Sequence, residues 1–219
     1  ATRRRRALPV IVALFALSLP TAAFAGQKGE SPRFMTFEFR LGEWLPNVDS
    51  EFASAGGAGL EGPYGRIFGD QAATVIDLEF AGHFHQEYGT ASIGMGIGSG
   101  SVEAKGINGD GTRASETTSL SMIPISLFVS YAFDLPAERW MFPLIPYAKF
   151  GLDWVAWSIT DGSDEVASTD EAGAEGRGAG ATAGWHWAVG VRLLLDALGP
   201  EMARTFDMDM GVNNSYLFV

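Results

Sequence analysis

Seven ionisable residues sit between apolar neighbours in otherwise hydrophobic stretches: Glu38, Arg40, Asp77, Glu79, Lys149, Asp153 and Arg192. Placed on one face of a sheet, they form a mixed-sign polar lining. Such a lining is either the wall of a polar channel or a set of ion pairs that fills a narrow interior. Unpaired charges away from water are costly, so mixed signs predict pairing and a plugged interior. Three histidines, His83, His85 and His186, fall on the same parity as these charges. A metal site or a catalytic base would need them close together. At about 3.3 Å per strand residue, the first two lie at one end and His186 at the other. They are therefore expected in a hydrogen-bond network, with no metal. Ser92 and His83, on neighbouring strands, come nearest to a nucleophile and base pair. No motif singles them out, so no catalytic residue is predicted and no enzyme activity is expected. The acids Asp161, Asp164, Glu165, Asp170, Glu171 and Glu175 suit calcium, or the divalent ions that bridge lipopolysaccharide, only by charge. Their spacing matches no calcium loop, and a solvated loop is expected. No cofactor is implied.

The elements that carry these residues read as strands. Thr182 to Leu195 is the clearest. Ala183, Trp185, Trp187, Val189, Val191 and Leu193 alternate with Thr182, Gly184, His186, Ala188, Gly190 and Arg192, a period of two. One face is wholly apolar with paired tryptophans, and the other is small or polar. That is the pattern of a barrel strand with lipid outside and a polar lumen inside. The same alternation predicts strands over Phe34–Leu41, Ala73–His85, a stretch from Ala91, Thr117–Phe133, Tyr147–Trp157 and Val212–Val219. In Thr117–Phe133 the apolar parity slips near Pro124, which predicts a bulge. Asn108 to Gly111 is a hairpin-turn signal. The hairpin it closes is expected to extend above a membrane. Gly199-Pro200 could start a single helical turn.

Residues 1–25 look like an export signal. Arg3 to Arg6 form a basic start, Leu8 to Leu19 an apolar run, and Ala23-Phe24-Ala25 a small-residue cleavage site. The run is too short to span a bilayer. Removing this segment takes away four arginines and no acids, so the net charge falls from −11 to −15. Strong acidity argues against nucleic acid, which rewards basic faces. The chain has no cysteine, so disulfides and thiolate chemistry are excluded. Residues 26–219 are expected to form one domain.

Long connections follow the first, third and fifth strands, and shorter ones follow the second, fourth and sixth. That asymmetry is the outer-membrane pattern of extracellular loops and periplasmic turns. Aromatics are expected in two belts. Trp154, Trp157, Trp185 and Trp187 fall at the loop ends; Phe84, Tyr131, Phe133, Trp140 and Phe142 fall at the turn ends. Seven strands is an odd count, and single-chain bacterial barrels have even ones. An eighth strand beyond Val219 is therefore expected.

The chain resembles the small OmpA/OmpX/OmpW-type outer-membrane barrels. It is more closely similar to a family of uncharacterised myxobacterial outer-membrane β-barrel proteins. The resemblance lies in Phe37-Glu38-Phe39-Arg40-Leu41-Gly42, Tyr64-Gly65-Arg66-Ile67-Phe68-Gly69-Asp70 and Pro146-Tyr147-Ala148-Lys149-Phe150-Gly151-Leu152. It continues in Gly184-Trp185-His186, Leu193-Leu194-Leu195-Asp196, Gly211-Val212-Asn213-Asn214 and Tyr216-Leu217-Phe218. It implies a chain continuing past Val219 and carries no established activity. The expected fold is all-β, an antiparallel up-and-down transmembrane barrel of about eight strands. The expected setting is the outer membrane, with a structural or surface-interaction role. A small-solute channel of porin-like kind is the alternative, and a lipid-modifying enzyme stands behind that. Expected partners are outer-membrane lipid, lipopolysaccharide and the barrel-assembly machinery. The barrel is expected to be monomeric.

Overall fold

A computed structural model of the chain describes residues 16–17, 33–46, 63–107, 112–140, 142–160, 168–171 and 174–219. The remainder of the signal segment, the Asn108–Gly111 turn and the loop acids Asp161, Asp164 and Glu165 lie outside these residues. In chain order the strands are β1 (Ala16–Leu17), β2 (Met35–Trp44), β3 (Ala73–His85), β4 (Thr90–Ile107), β5 (Arg113–Ala132), β6 (Leu144–Thr160), β7 (Ser168–Glu171), β8 (Ala174–Arg177), β9 (Ala179–Leu194) and β10 (Ser215–Phe218). Among the described residues three helices connect them: α1 (Pro63–Phe68), α2 (Leu135–Trp140) and α3 (Pro200–Met210), the last preceded by a 3-10 turn over Leu195–Ala197. β3 begins and ends where its alternation does. β4 runs on to Ile107, up to the expected turn, and β5 starts at Arg113, four residues before the predicted Thr117.

Two connections hold more structure than expected. The segment between β6 and β9, read as a loop, contains the β7–β8 hairpin, a separate two-stranded sheet. The helical turn expected after Gly199 is an eleven-residue helix. Pro200 starts it at a position where no backbone N–H is needed. Gly211, at φ 66°, ends it in the left-handed conformation that glycine adopts without strain.

The main sheet is antiparallel throughout, in the order β10-β9-β6-β5-β4-β3-β2. Each strand lies beside its predecessor along the chain, apart from the β7–β8 excursion. These seven strands alone leave the sheet open. The link between its two edges among the described residues is the β1 dipeptide. Ala16 stands opposite both Tyr216 and Glu38, and Leu17 opposite both Ser215 and Phe37.

The sheet curls tightly. β2 and β6 are four strands apart, which is about 19 Å in a flat sheet. Yet Lys149 Nζ on β6 lies 3.2 Å from Glu38 Oε2 on β2. The charged parities of the strands therefore face a common interior. Two apolar clusters bracket it. At the loop end, Tyr64 and Phe68 of α1 pack with Ala73, Val102, Leu120 and Met122, and with Val155, Trp157 and Ile159 at its margin. Arg113 fastens α1 by donating to the Ile67 carbonyl (2.7 Å). At the turn end, Ala137 of α2 packs with Ala132, Ile145, Tyr216 and Phe218.

The bulge predicted at Pro124 is absent. Ile97 faces Ile125 and Gly100 faces Met122, so the same number of residues separates the pairs on each strand. Pro124 itself stands in register with Val155. The strand keeps its frame while its surroundings change. From Ile123 down to the turn end the outer residues Ile123, Ile125, Leu127 and Val129 are exposed and apolar. Above Ile123 the outer residues are Ser121 and Ser119, and the inward Leu120 and Met122 are buried. The irregularities among the described residues fall elsewhere, at Lys105/Ile107 and at His83/His85.

The inner face of β4 carries Gly94, Gly96, Gly98 and Gly100. At Gly94 a methyl group would fall on the Phe80 carbonyl, 2.6 Å from the Phe128 ring and 2.8 Å from Ala81 Cβ. Backbone and ring cannot both give way. Gly94→Ala should therefore cost about 1–3 kcal/mol of stability. Gly82→Ala, with nothing within 4 Å, should change little. Denaturant unfolding of the two variants side by side checks both.

Candidate functional site

The interior charges converge on Glu38. Its carboxylate accepts from Lys149 Nζ at 3.2 Å and from Arg192 Nη2 at 2.5 Å. Lys149 also donates to Glu79, which in turn pairs with Arg40. Arg40 Nη2 lies 3.7 Å from Asp77 and its Nε 4.0 Å from Glu38. Strands β2, β3, β6 and β9 each contribute. Alternation puts these residues on one face, and the curl of the sheet brings opposite walls within reach of one another.

Aromatic rings complete the shell. Lys149 Nζ sits 4.3 Å from the centre of the Phe128 ring, and the Arg192 guanidinium 4.9 Å from that of Tyr147. Cations held over ring faces keep part of their solvation there. The core of the network is buried: the Lys149, Glu79 and Glu38 side chains are 1%, 2% and 6% exposed. Arg40 and Asp77, nearer the loop end, are 29% and 24% exposed. A cavity of about 180 Å³ opens beside them, lined by Arg40, Gly42, Trp44, Val75, Asp77 and Phe218.

Asp153 does not join this network. Both of its carboxylate oxygens lie 2.8 Å from His186 Nδ1. His83 is at the other end, 2.7 Å from Thr36 Oγ1. Ser92 stands directly opposite His83 in register, but the His83 ring is engaged by Thr36 and not by Ser92. His85 is a correction. It was expected inside, and it is exposed, in register with Ala91 on the outward set. The extra residue at Phe84 shifts the parity by one and turns His85 outward. No group of three His, Asp or Glu side chains converges as a metal site among the described residues.

Of the aromatic belt residues, Trp154, Trp185, Trp187, Tyr131, Phe133, Trp140 and Phe142 are exposed on the outer surface. Trp157 is the second correction. It lies on the opposite parity to Trp154 and packs inward against the loop-end cluster. Three inner features escaped the sequence-based reading. Phe128 and Tyr147 form the ring platforms. At the turn end Thr90 donates to Asp134 (2.5 Å), which also pairs with Arg33 (3.6 Å). A cavity of about 20 Å³ there is bounded by His83, Asp134, Arg192 and Tyr216. It has room for one water. Inward parity marks Phe128, Tyr147 and Thr90, whereas Arg33 and Asp134 lie outside the strands and carry no such signal.

Each carboxylate of the central network already has a cation in contact. That geometry neutralises charge and ties strands together. No protein-family model, curated protein or solved structure matches this chain.

Proposed function

We propose that the chain forms an outer-membrane β-barrel with a filled lumen, serving the envelope as a structural or surface-interacting element. The observation that carries this reading is an inversion of polarity at the loop end of four adjacent strands. On β3 the outer residues change from Ile76 to Thr74 as the inner ones change from Asp77 to Val75 and Ala73. On β4 the outer set changes from Ile93, Met95 and Ile97 to Ser99, Ser101, Glu103 and Lys105, and the inner glycines give way to Val102. β5 changes at Pro124, and β6 between Trp154 and Ser158 as Trp157 and Ile159 turn inward. On β9 the outer residues beyond Trp185 shrink to alanine. A water-soluble sheet buries its apolar face along its whole length. A strand that leaves lipid for water must exchange its two faces, because the outside becomes aqueous and the inside becomes the core.

The height of the apolar band fits. Ile76 to Phe84 spans ~26 Å of strand and Leu144 to Ala156 ~40 Å, at about 3.3 Å per residue. At a strand tilt of about 40° these become ~20 and ~30 Å, which bracket the apolar belt of ~25 Å on outer-membrane barrels. No helix among the described residues is long and apolar enough to cross a membrane, so strands would do the crossing. The resemblance to small outer-membrane barrels points the same way. Above the band, the polar outer faces of β4 and β5 would stand in the external medium as a folded platform for contact. Lipid, lipopolysaccharide and the barrel-assembly machinery are the partners this reading entails.

The filled interior supports a closed barrel over a channel, and its engaged carboxylates support a non-enzymatic role. Two measurements on the protein in washed outer membranes test the proposal. Unboiled protein should migrate differently from boiled protein on a denaturing gel, and purified protein in planar bilayers should not conduct. Release without detergent and no mobility shift would overturn the membrane reading. Steady unitary conductance would overturn the filled lumen in favour of a small-solute channel.

A further inference from the structure

We infer that α3 lies along the membrane surface at the turn end, its apolar stripe immersed among lipid headgroups; the inference rests on the membrane reading above. The helix spans eleven residues and buries none of them. Met202, Phe206 and Met210 recur four residues apart, on one side of the helix, and are 68%, 39% and 64% exposed. Glu201, Arg204 and Thr205 occupy the other side, where Met208 also lies. An isolated helix of this length is marginal in water even with good helix formers. Capping by Pro200 and Gly211 fixes its ends but not its stability. Something must cover the stripe.

Continuity with the outer face of the sheet identifies what does. α3 follows β9 directly, and the outer residues of β9 at this end are Val189, Val191 and Leu193. The exposed Leu198 sits between strand and helix. Phe84, Tyr88, Trp140 and Phe142, all exposed, stand at the same end of the wall. Interfacial aromatics and a Met/Phe stripe at the foot of one apolar band describe a single lipid-facing surface that turns from the wall onto the helix. The helix carries Glu201 and Asp207 against Arg204 away from the stripe, and Asp209 on the stripe side, in line with Met202. This net acidity disfavours anionic lipid, so the surface it suits is zwitterionic.

The chain has no cysteine, so single cysteines can each carry a nitroxide label. The full chain is reconstituted in phosphatidylethanolamine/phosphatidylcholine vesicles. Accessibility to oxygen, which concentrates in lipid, is compared with accessibility to a water-soluble nickel chelate. Labels at Met202, Phe206 and Met210 should show an oxygen-to-nickel ratio several-fold above labels at Glu201, Arg204 and Thr205. Labels at Ile93 and Val189 report on the wall. If the wall labels read lipid and the stripe reads water, the helix inference fails and the barrel stands. A stripe shielded from both reagents would place it against protein, and the inference would fail there too. If the wall labels also read water, both readings fall together.

Discussion

Lys149→Met should destabilise the protein by about 3–5 kcal/mol. The side chain is 1% exposed and holds Glu38 and Glu79 together from the opposite wall. Methionine keeps most of the volume and the contact with Phe128. What it removes is the charge, leaving two buried carboxylates with one cation fewer, and a buried charge stripped of its partner is far more costly than the pair was valuable. The double variant Lys149→Met with Glu79→Gln should recover most of that loss. It removes one charge of each sign and leaves Glu38 with Arg192, and Asp77 with Arg40. Denaturant midpoints in detergent micelles, read by tryptophan fluorescence, would show both effects. A single variant as stable as the parent would mean that Lys149 is not buried between the two carboxylates.

Leu127→Arg and Ser121→Arg should differ sharply although both residues are on the outer face of β5. Leu127 stands between Met95 and Leu152 at the middle of the apolar band. On the proposed membrane reading an arginine there meets lipid and should cost about 2–4 kcal/mol. Ser121, exposed above the inversion, stands in water on the same reading and should tolerate arginine within about 0.5 kcal/mol. If this same outer face met water, both positions would be exposed surface and both substitutions close to neutral. Refolding yield into vesicles and urea midpoints of the two variants make the comparison. Equal tolerance at both sites would remove the membrane band.

The strands were legible because period two survives in any environment where the two faces differ. Ala73–His85 needed nothing else. Pro124 shows where that signal stops. A parity change beside a proline is what an inserted residue would produce, and also what an exchange of solvents produces on an unbroken strand. Alternation reports that the faces differ; it does not report which side is wet. Trp157 was misplaced for the same reason, since a tryptophan near a loop end suits a membrane boundary and an apolar plug equally. His85 depended on a bulge that nothing in Gly82-His83-Phe84-His85 announces. α1, six residues long, is too short to show a helical period. The members of the ionic network were identifiable by parity, but their pairing was not. Which cation meets which carboxylate depends on how far the sheet curls, and that is a property of all its strands together.

The reach of Glu38 across the interior also bears on how the wall is put together and taken apart. Its contact with Arg192 joins residues 154 positions apart, and that with Lys149 joins residues 111 apart. Until β6 and β9 arrive, the β2–β3 hairpin carries Glu38, Asp77 and Glu79 with Arg40 alone to offset them. The early hairpin is thus electrostatically incomplete, and closing long stretches of chain must come before the reward. In reverse, a force applied at one end meets more than strand-by-strand pairing, because β2 is spoked to β6 and β9 through the interior. The sheet is thereby cross-tied through its interior, and Glu38 is the residue at which those ties meet.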